Sequence, residues 1–490
     1  MAERFITYEA FGAVGDGVHD DLPAIIAAHE EANRLGLPVK AREGALYYTG
    51  TQPRSAIIQT DVDWTGAVFI ADHRDLDAIR HPVFRVTPSR EEFPIEIPSL
   101  SREQRSIEGL SLGSDVFVRV WDDTRRHYIR RGGNANLGSP ATDCFVLTAE
   151  GEIKNRIMWD FPHVTKAVAK PIDSRELVIR GGTLRSIANE GTVGEDGARH
   201  SVSTYSARHL AINRSHVTLD GFTDEIVKEQ ECGCAYSGAV SVRDAAYVTL
   251  RNCRFMGRRY FYFHKNGQDV PLGSYAVNLS SSAFVSLIGL RQTNDIMDSA
   301  FWGLMGSNFC KDLYLEDCTM SRFDAHQGVT NCTIRASRLG WMCLNAIGYG
   351  DFLVEDCQAY GNALINLRRD YGSLWNGSFT VRRCHWIPRA GGFTVFNAVN
   401  DGAHDFGYDT SMPHTVTIDG LVIEDEGLER DETPYYVLPD FDRERVKEKI
   451  KPHAPTELLL LGEMSARSGR VILPCAAPEL YPNLRVEKLV

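Results

Sequence analysis

The chain has 490 residues, of which 43% are hydrophobic and 24% charged, a composition typical of a soluble globular protein with a large core. Its formal net charge is −12. That charge argues against a nucleic-acid-binding surface over the whole molecule, because such binding depends on phosphate neutralisation by Lys and Arg. We expect no nucleic-acid partner, and any acidic ligand needs a local basic patch.

Targeting and redox signals are weak. The first residues contain no apolar core of a signal peptide, and no later stretch of roughly eighteen apolar residues follows. We therefore expect no membrane partner and a cytoplasmic chain, or a secreted one if a signal was removed. Eleven cysteines, an odd number, lie mostly in strand-like runs, which favours reduced, buried thiols over disulfides. Cys232-Gly233-Cys234 has no matching second pair, so we expect no metal site.

A glycine loop, two aspartates and a helical pattern follow one another near the amino terminus. The glycines are Gly12, Gly15 and Gly17, and Asp20 or Asp21 is predicted to cap the helix. The helix has apolar positions at helical spacing and is predicted to end at Gly36. Those positions are Ile25, Ile26, His29 and Ala32.

This order resembles the opening of pectate-lyase-like proteins, whose pattern runs strand, Gly-Ala-x-Gly-Asp-Gly, Asp-Asp, helix, strand. The resemblance covers about fifty residues and implies a right-handed parallel β-helix with an N-terminal capping helix over its open end. The glycines lack the following Lys-Ser/Thr of a phosphate loop, so we interpret them as structural. The chain departs from the commonest pattern at Gly36-Leu37-Pro38 and Arg42-Glu43-Gly44.

Short β-rich runs recur from residue 100 onward, each followed by turn residues. From Phe222 on they repeat every 19 to 37 residues, and the gaps lack helix-length amphipathic patterns, which favours a coil of short strands over βαβ units. When these runs are aligned, one column of equivalent residues contains four cysteines, which are predicted to stack as a ladder in the interior. The column comprises Leu110, Gly182, Phe222, Cys253, Leu290, Cys318, Ser337, Cys357, Cys384 and Leu421.

The sequence therefore predicts an all-β fold, a right-handed parallel β-helix (solenoid) forming one domain over 1–490. Residues 1–50 are the predicted N-terminal strand and helix cap. Residues 51–429 are the predicted coils with loop excursions, one of them in the irregular, charged region 115–160. Residues 430–490 are the predicted closing strands and cap.

The predicted functional face centres on residues 321–328, which contain Asp324 and His326. Sequences of the polygalacturonase type place an Asp-Asp pair directly after an Asn-Cys-Thr-Ile-like run, and Asp324 holds a comparable position. The rest of that family's catalytic set is absent, so its residue roles are not carried over. Asp298 lies one apparent repeat earlier. If the two aspartates occupy adjacent turns, their separation is near the short distance of retaining glycosidases.

Further residues are predicted to complete a groove. His326 is predicted to position or activate an acid, and Arg368 or Arg369 to bind a substrate carboxylate. The basic and aromatic segment 257–265, with His264, is predicted to form a groove wall rather than a single-strand nucleic-acid site. Flat aromatic faces for sugar rings are predicted at Trp302, Tyr260, Trp341 and Tyr371.

The predicted function is a glycoside hydrolase acting on a polysaccharide or oligosaccharide, without a cofactor. One alternative is a polysaccharide lyase, in which a His, Tyr, Lys or Arg removes a proton beside a uronate carboxylate and Arg or Ca²⁺ neutralises that carboxylate. Another is a non-catalytic, tailspike-like glycan-binding protein. Fold alone does not separate the three. An exposed coil flank is also compatible with a homo-oligomer.

Overall fold

The computed structural model describes residues 4–75, 81–110, 112–132, 135–265, 268–389, 391–400, 402, 404–428, 432–442 and 453–489. Most strands belong to one large sheet whose pairings are parallel, so the described part of the chain is all-β apart from one α-helix and three short 3₁₀ helices. The 3₁₀ helices are Glu9–Phe11, Arg369–Tyr371 and Pro478–Leu480.

The large sheet consists of three columns, and each turn of the chain passes through column 1, column 2 and column 3 in that order. Column 1 contains Ile6–Thr7, Val39–Lys40, Val217–Asp220, Ala246–Arg251, Ala283–Ile288, Gly348–Glu355, Trp375–Arg382, Thr415–Asp419, Leu458–Leu461 and Arg485–Lys488. Column 2 contains Asp16–Asp20, Leu46–Tyr48, Thr223–Val227, Arg254–Phe255, Arg291–Gln292, Gln358–Gly361, His385–Pro388, Leu421–Ile423 and Met464–Ala466. Column 3 contains Ala56–Ile58, Phe84–Val86, Leu210–Ile212, Val240–Arg243, Val277–Ser280, Ile365–Leu367 and Phe396–Asn397.

Five long strands bend from one column into the next. Val62–Asp72 and Leu177–Ile187 run from column 1 into column 2, and Arg338–Ala346 runs from column 2 into column 3. Met305–Glu316 runs from column 3 into column 1, and Thr319–Arg335 passes through all three columns. This winding is a parallel β-helix.

The turn from column 1 to column 2 has a recurring local cause. In the sequence alignment of the β-rich runs, one residue of each turn from Phe222 to Leu421 occupies the same position. The residue just before each of these has a positive φ, a conformation that Gly, Asn and Asp adopt most easily. These residues are Gly221, Asn252, Gly289, Asp317, Ala336, Asp356, Arg383 and Gly420. The aligned residue that follows each one then points into the core.

The predicted cysteine ladder is confirmed. Cys253, Cys318, Cys357 and Cys384 are each at most 2% exposed, and the backbone amide after each aligned residue donates to the aligned residue one turn earlier, as Arg338 N does to Cys318 O. No cysteine of the eleven is in a disulfide, and nine are buried. Leu110 does not stack with the other aligned residues, so its place in the sequence alignment was wrong.

Apolar ladders fill the coil beside the cysteines. On column 1, equivalent residues of successive turns are fully buried, and each packs against the equivalent residue of the next turn. Parallel strands buried on the inner face favour such apolar stacks. The ladder runs through Leu219, Leu250, Leu287, Leu315, Ile334, Val354, Val381 and Ile418.

The N-terminal helix spans Leu22–Leu35 and ends at Gly36. Ile25, His29 and Ala32 are buried in the core, where His29 Nε2 lies 2.9 Å from the Tyr8 hydroxyl. Asp21 occupies the N-cap position but makes no side-chain cap. Its carboxylate instead accepts hydrogen bonds from the amides of residues 14 and 15. The aspartate therefore fixes the glycine loop, and the helix's role as a cap stays a prediction.

The segment between residues 87 and 176 departs most from the predicted coil. It contains an antiparallel sheet of Phe93–Pro94, Val116–His127, Ser139–Leu147 and Lys166–Pro171. We call it the inserted sheet. The region 115–160 is thus an excursion, as predicted, but a regular one, and the run at 106–112 is not a coil strand within the described residues. A buried ion pair, Lys311 Nζ to Asp143 Oδ1 at 2.7 Å, holds the inserted sheet against the coil.

Smaller pairings complete the described structure. The antiparallel hairpin is Phe261–Lys265 with Gln268–Leu272, and a second antiparallel pair is Thr192–Val193 with Arg199–His200. The parallel pairs are Val202–Ser206 with Cys234–Tyr236, Thr410–Ser411 with His453–Ala454, and Tyr435–Leu438 with Ile472–Cys475. Residues 443–452 of the predicted C-terminal cap lie outside the described residues. None of the described helices is long and apolar enough to cross a membrane.

Candidate functional site

Asp324 lies on column 3, in register with Gly306 on the preceding turn and Asn345 on the next. Its neighbours Phe323 and Ala325 point into the core, so the alternation of the strand sends the aspartate outward. Other side chains nevertheless cover it completely, and it is 0% exposed.

Three partners bind the Asp324 carboxylate. Arg368 Nη1 donates to both oxygens at 2.9 and 2.8 Å, and Arg322 Nη2 lies 2.5 Å from Oδ2. The Tyr275 hydroxyl donates to Oδ2 as well. A Cβ on Gly306 would lie 2.5 Å from the Tyr275 ring, so the glycine makes room for this ring to reach across the turn.

The ion pairs continue to a second carboxylate. Arg368 binds Asp370 through Nε at 3.1 Å and Nη2 at 2.7 Å, and Arg130 Nη2 lies 3.0 Å from the same Asp370 Oδ2. Three guanidinium groups therefore face two carboxylates in this network. The remaining positive charge forms a local basic patch on a protein whose net charge is −12.

The charges determine the protonation of the aspartate. Burial alone would raise the pKa of Asp324, but Arg322 and Arg368 outweigh that effect and lower the pKa to about 2. Burial raises the pKa of Tyr275, so its hydroxyl stays protonated. Asp324 is thus an anion at neutral pH, and its lone pairs are already engaged by donors.

A cleft of about 380 Å³ opens above this network. Arg368, His326 and Tyr275 reach its surface, with Arg130 and Trp302 on its walls. The Arg322 guanidinium lies 4.7 Å from the Trp302 ring centroid, which fixes the indole by a cation–π contact. No Asp or Glu is among the described residues that line the cleft.

His326 is the imidazole of this cleft. Its Nδ1 lies 2.9 Å from Asn308 Oδ1, and an amide oxygen only accepts, so Nδ1 carries the proton and Nε2 has the lone pair. Burial lowers the pKa of His326 to about 3, and the nearby Arg368 acts in the same direction. The ring also packs edge-on against Tyr371 at 5.9 Å. A neutral histidine in one tautomer results.

Arg130 and Tyr275 were not predicted from the sequence. Arg130 follows the strand Val116–His127 of the inserted sheet, and Tyr275 follows the hairpin at residues 261–272. Both residues belong to excursions from the coil, and tertiary packing places both beside column 3. Repeat spacing therefore gave no signal for either residue, and the only trace of the first was the basic run at 125–131.

Asp298 does not lie where the repeat spacing placed it. It is exposed in the connection before Met305–Glu316, and its Oδ1 accepts the amide of Ala300 at 2.8 Å. The residue in register with Asp324 is Gly306. The expected pair of carboxylates on adjacent turns is therefore wrong, and so is the inference of a retaining geometry from it. Asp298 instead supports a turn.

The other predicted residues are scattered around the cleft. Tyr371 is 1% exposed and packs beneath Arg368, so it cannot present a face to a sugar. Arg369 is exposed beside the cleft. Tyr260 lies edge-on to Trp302 at 6.2 Å. The remaining two are His264, exposed on the hairpin beside Asp269, and Trp341, in a neighbouring cleft. Their substrate-binding roles stay predictions.

Within the described residues, no group of three or more His, Cys, Asp or Glu is placed to hold a metal ion. The polar groups that line the cleft are guanidinium, imidazole, phenol, aliphatic hydroxyl, indole and amide. This set can bind an anion, hold a neutral base and donate protons.

The first consequence for stability concerns Asp324. Its folded-state pKa of about 2 lies below the 3.8 of an ordinary aspartate, so its contribution is complete above about pH 4 and is lost as pH falls through 2. We expect Asp324→Asn to lower the free energy of unfolding by about 3 kcal/mol at neutral pH, since breaking a buried ion pair leaves charge uncompensated. Denaturant titration at several pH values checks this.

The difference between parent and variant is expected to shrink below pH 4, as the parent carboxylate protonates. Asp356→Asn is the matched control, because Asp356 pairs with Arg383 on the surface and exposed pairs contribute little. A variant as stable as the parent at pH 7 would contradict the burial and pairing described for Asp324.

Over 435 residues the chain is 26% identical to a capsule KL64-specific depolymerase of Klebsiella phage P510, a match that covers 80% of this chain and 38% of that protein. The Gp54 tailspike of Acinetobacter baumannii bacteriophage AP22, solved with A. baumannii capsular saccharide, superimposes with a TM-score of 0.50 at 10% identity, covering 96% of this chain and 74% of that one. The chain shares the right-handed parallel β-helix fold with this tailspike.

The tailspike gp61 of Pseudomonas phage phi297 superimposes with a TM-score of 0.49 at 10% identity, covering 95% of this chain and 81% of that one. No protein-family model matches the chain. The right-handed parallel β-helix fold that was predicted from the first fifty residues is thus confirmed. The chain spans well under half the length of the depolymerase that it matches.

Proposed function

We propose that this β-helix cleaves an acidic, uronate-containing capsular polysaccharide by β-elimination. The observation that carries the proposal is the composition of the cleft. Arg130, Arg368, His326 and Tyr275 line it, and none of its described lining residues is a carboxylate. This is the lyase alternative predicted from the sequence, with named residues.

Hydrolysis is less well supported by the same geometry. A glycosidase needs one protonated carboxyl as acid and a second carboxylate as nucleophile or base. Asp324 has a pKa of about 2 and binds three donors, so it is a poor proton donor and a hindered nucleophile. Asp298 lies in a turn outside the described lining of the cleft.

Elimination begins with binding of the uronate. The network of three guanidinium groups and two carboxylates has one positive charge left, and a carboxylate of the substrate compensates it through charge-assisted hydrogen bonds to Arg368 and Arg130. The same charge stabilises the negative charge that develops on this carboxylate when the adjacent carbon loses its proton. The guanidinium groups supply this charge, and the absence of any cofactor, Ca²⁺ included, remains part of the proposal.

Proton transfer completes the reaction. His326 Nε2 takes the proton from the carbon that bears the carboxylate, the electron pair of that C–H bond forms the new C=C bond, and the C–O bond to the leaving sugar breaks with its electrons. The imidazolium of His326 passes this proton to the leaving oxygen, which restores the neutral histidine. A bound uronate also brings a negative charge near His326, which raises the pKa of the imidazole toward the range useful for a base.

The substrate class has separate support. The matched relative is described as a capsule KL64-specific depolymerase, and a capsular saccharide is bound in the AP22 tailspike structure. Purified Klebsiella KL64 capsular polysaccharide is therefore the first substrate to test, followed by a panel of acidic and neutral capsular polysaccharides.

Product analysis tests the proposal. We expect the chain to depolymerise at least one uronate-containing polysaccharide and to release fragments with an ultraviolet-absorbing, unsaturated sugar end. Neutral polysaccharides are the control and are expected to stay intact. Cleavage without absorbing ends would indicate a hydrolase, and tight binding without any fragment would indicate the glycan-binding alternative; either result would contradict the proposal.

A further inference from the structure

A second cleft, of about 570 Å³, lies beside the first one on column 3. We call it the asparagine cleft, because four asparagines are part of its lining and three of them, Asn345, Asn366 and Asn397, lie in register. Trp341 and Arg389 belong to the same lining. No role in elimination falls to any of these residues.

The three asparagines form one row across successive turns. Asn345 is in register with Asn366, and Asn366 with Asn397. Asn397 Nδ2 donates to Asn366 Oδ1 at 2.8 Å, and Asn366 Nδ2 donates to Asn345 Oδ1 at 2.7 Å. At the inner end, Asn345 Nδ2 donates to the carbonyl of residue 342 at 2.9 Å. The amides thus all point the same way along the coil.

The row has hydrogen-bonding capacity left over. An amide has two N–H donors and an oxygen with two lone pairs. Asn397 and Asn366 each use one N–H on the next asparagine, and Asn345 uses one on a backbone carbonyl. Asn366 and Asn397 are partly exposed, whereas Asn345 is 5% exposed. The row therefore presents donor and acceptor pairs at about 4.8 Å intervals, the spacing of neighbouring strands.

The row is continuous with the site of elimination. Asn345 is in register with Asp324, so the row starts one turn of the coil away from the buried carboxylate. Arg322 connects the two clefts, since it binds Asp324 and its Nη1 lies 3.5 Å from Met342 Sδ in the asparagine cleft. Trp341 Nε1 donates to the carbonyl of Phe301 at 3.2 Å, next to the Trp302 of the first cleft.

The lining matches the chemistry of a sugar chain. Paired amide donors and acceptors suit vicinal hydroxyls, and the partly exposed Trp341 offers an apolar face of the kind that packs on a sugar ring. No Asp or Glu is among the described lining residues, and Arg389 adds a positive charge. An acidic glycan therefore meets no like charge along this lining.

We infer that the asparagine cleft binds the sugar units that extend the substrate from the elimination site toward the C-terminal coils. The ligand class is a hydroxyl-rich stretch of an acidic polysaccharide lying parallel to the coil axis. The inference rests on the proposed function for the cleavage that it assists, and the binding itself is measurable without cleavage.

Two variants test it, Asn366→Ala in the middle of the row and Asn397→Ala at its outer end, which breaks one inter-rung bond only. Asn213→Ala is the matched control, an asparagine near column 3 but outside this cleft, whose Nδ2 binds a backbone carbonyl. The probes are KL64 capsular polysaccharide, or the polysaccharide cleaved in the substrate panel, and its oligosaccharides of graded length. Thermal unfolding verifies that all variants are folded.

We expect each row variant to raise KM for long substrates by roughly tenfold, in keeping with the loss of one or two hydrogen bonds to the glycan. The kcat and KM for the shortest cleaved oligosaccharide are expected to stay at parent values, which a merely structural row would not produce. Parent-like KM at every length would overturn the inference and leave the proposed function intact.

Binding separates the remaining outcomes. If the parent cleaves nothing, Trp fluorescence titration with the same polysaccharides still measures affinity. Weaker binding by the row variants and not by Asn213→Ala would then support the asparagine cleft while the proposed lyase activity fails. Equal binding by all the variants, or no binding by the parent, would overturn the inference.

Discussion

Arg368→Ala is expected to lower kcat/KM by about a thousandfold, because the guanidinium is the group best placed to hold the uronate carboxylate as charge develops on it. Arg368 is 7% exposed and bridges Asp324 and Asp370. Its loss leaves a buried carboxylate short of a partner, so we also expect a loss of about 3–5 kcal/mol in the free energy of unfolding. Initial rates of product absorbance and denaturant titration measure the two effects.

A conservative variant separates catalysis from folding. Arg368→Lys keeps the charge but not the planar donor set, so it is expected to fold and to remain at least tenfold slower than the parent. Arg382→Ala is the control, since Arg382 is partly exposed and its partner Glu355, 3.4 Å away, keeps its ion pairs with Arg335 and Arg383. Parent-like rates in a folded Arg368→Ala protein would remove the basis for uronate binding at this site.

His326→Gln is expected to lower kcat by about a hundredfold to ten-thousandfold, the usual effect of removing a general base, with a smaller change in KM. The glutamine retains a polar side chain of similar reach, so the fold should persist. His385→Gln is a suitable control, because His385 lies on the surface beside Glu424. Steady-state kinetics on the cleaved polysaccharide measures the result.

The pH dependence of kcat/KM offers a second readout for His326. Burial lowers the pKa of this imidazole to about 3 in the free protein, so it stays neutral, and able to accept a proton, throughout pH 5 to 8. We therefore expect no fall in kcat/KM as the pH drops through about 6.5, the ordinary value for histidine. A half-loss of activity near that pH would mean that the base is a histidine in a different environment.

The coil was predictable because its turns repeat a local chemistry. The left-handed residue before each aligned position, often Gly, Asn or Asp, and the buried residue after it recur whatever the length of the intervening loop. Cys318 and Cys357 could thus be aligned in the sequence although the number of residues per turn varies. The inserted sheet was missed because its strands pair antiparallel, outside that repeat.

The site was predictable only where it lies on the coil. Asp324 and His326 lie within the strand Thr319–Arg335, Arg368 directly follows Ile365–Leu367, and the structure brings the three together. Asp298 was misplaced because its loop has no repeat of its own, so counting residues could not fix its register. Arg130 and Tyr275 arrive from excursions whose return point is set by tertiary packing.

The asparagine row did leave a signal in the sequence. Asn345, Asn366 and Asn397 each sit between two apolar residues, in Leu-Asn-Ala, Ile-Asn-Leu and Phe-Asn-Ala. An outward polar residue flanked by inward apolar ones is the pattern of a half-buried strand. Because the spacing differs between the pairs, the repeat becomes evident only once the strands are in register.

Digestion of the cleaved polysaccharide in ¹⁸O-labelled water, followed by mass spectrometry of the fragments, tests elimination most directly. Elimination adds no water across the broken bond, so the fragments should contain no label and their masses should sum to that of the parent segment. One ¹⁸O atom at the new end of one fragment of each pair, with a summed fragment mass that exceeds the parent segment by one water per cleavage, would show hydrolysis and contradict the assignment of His326 and Arg368 to a lyase.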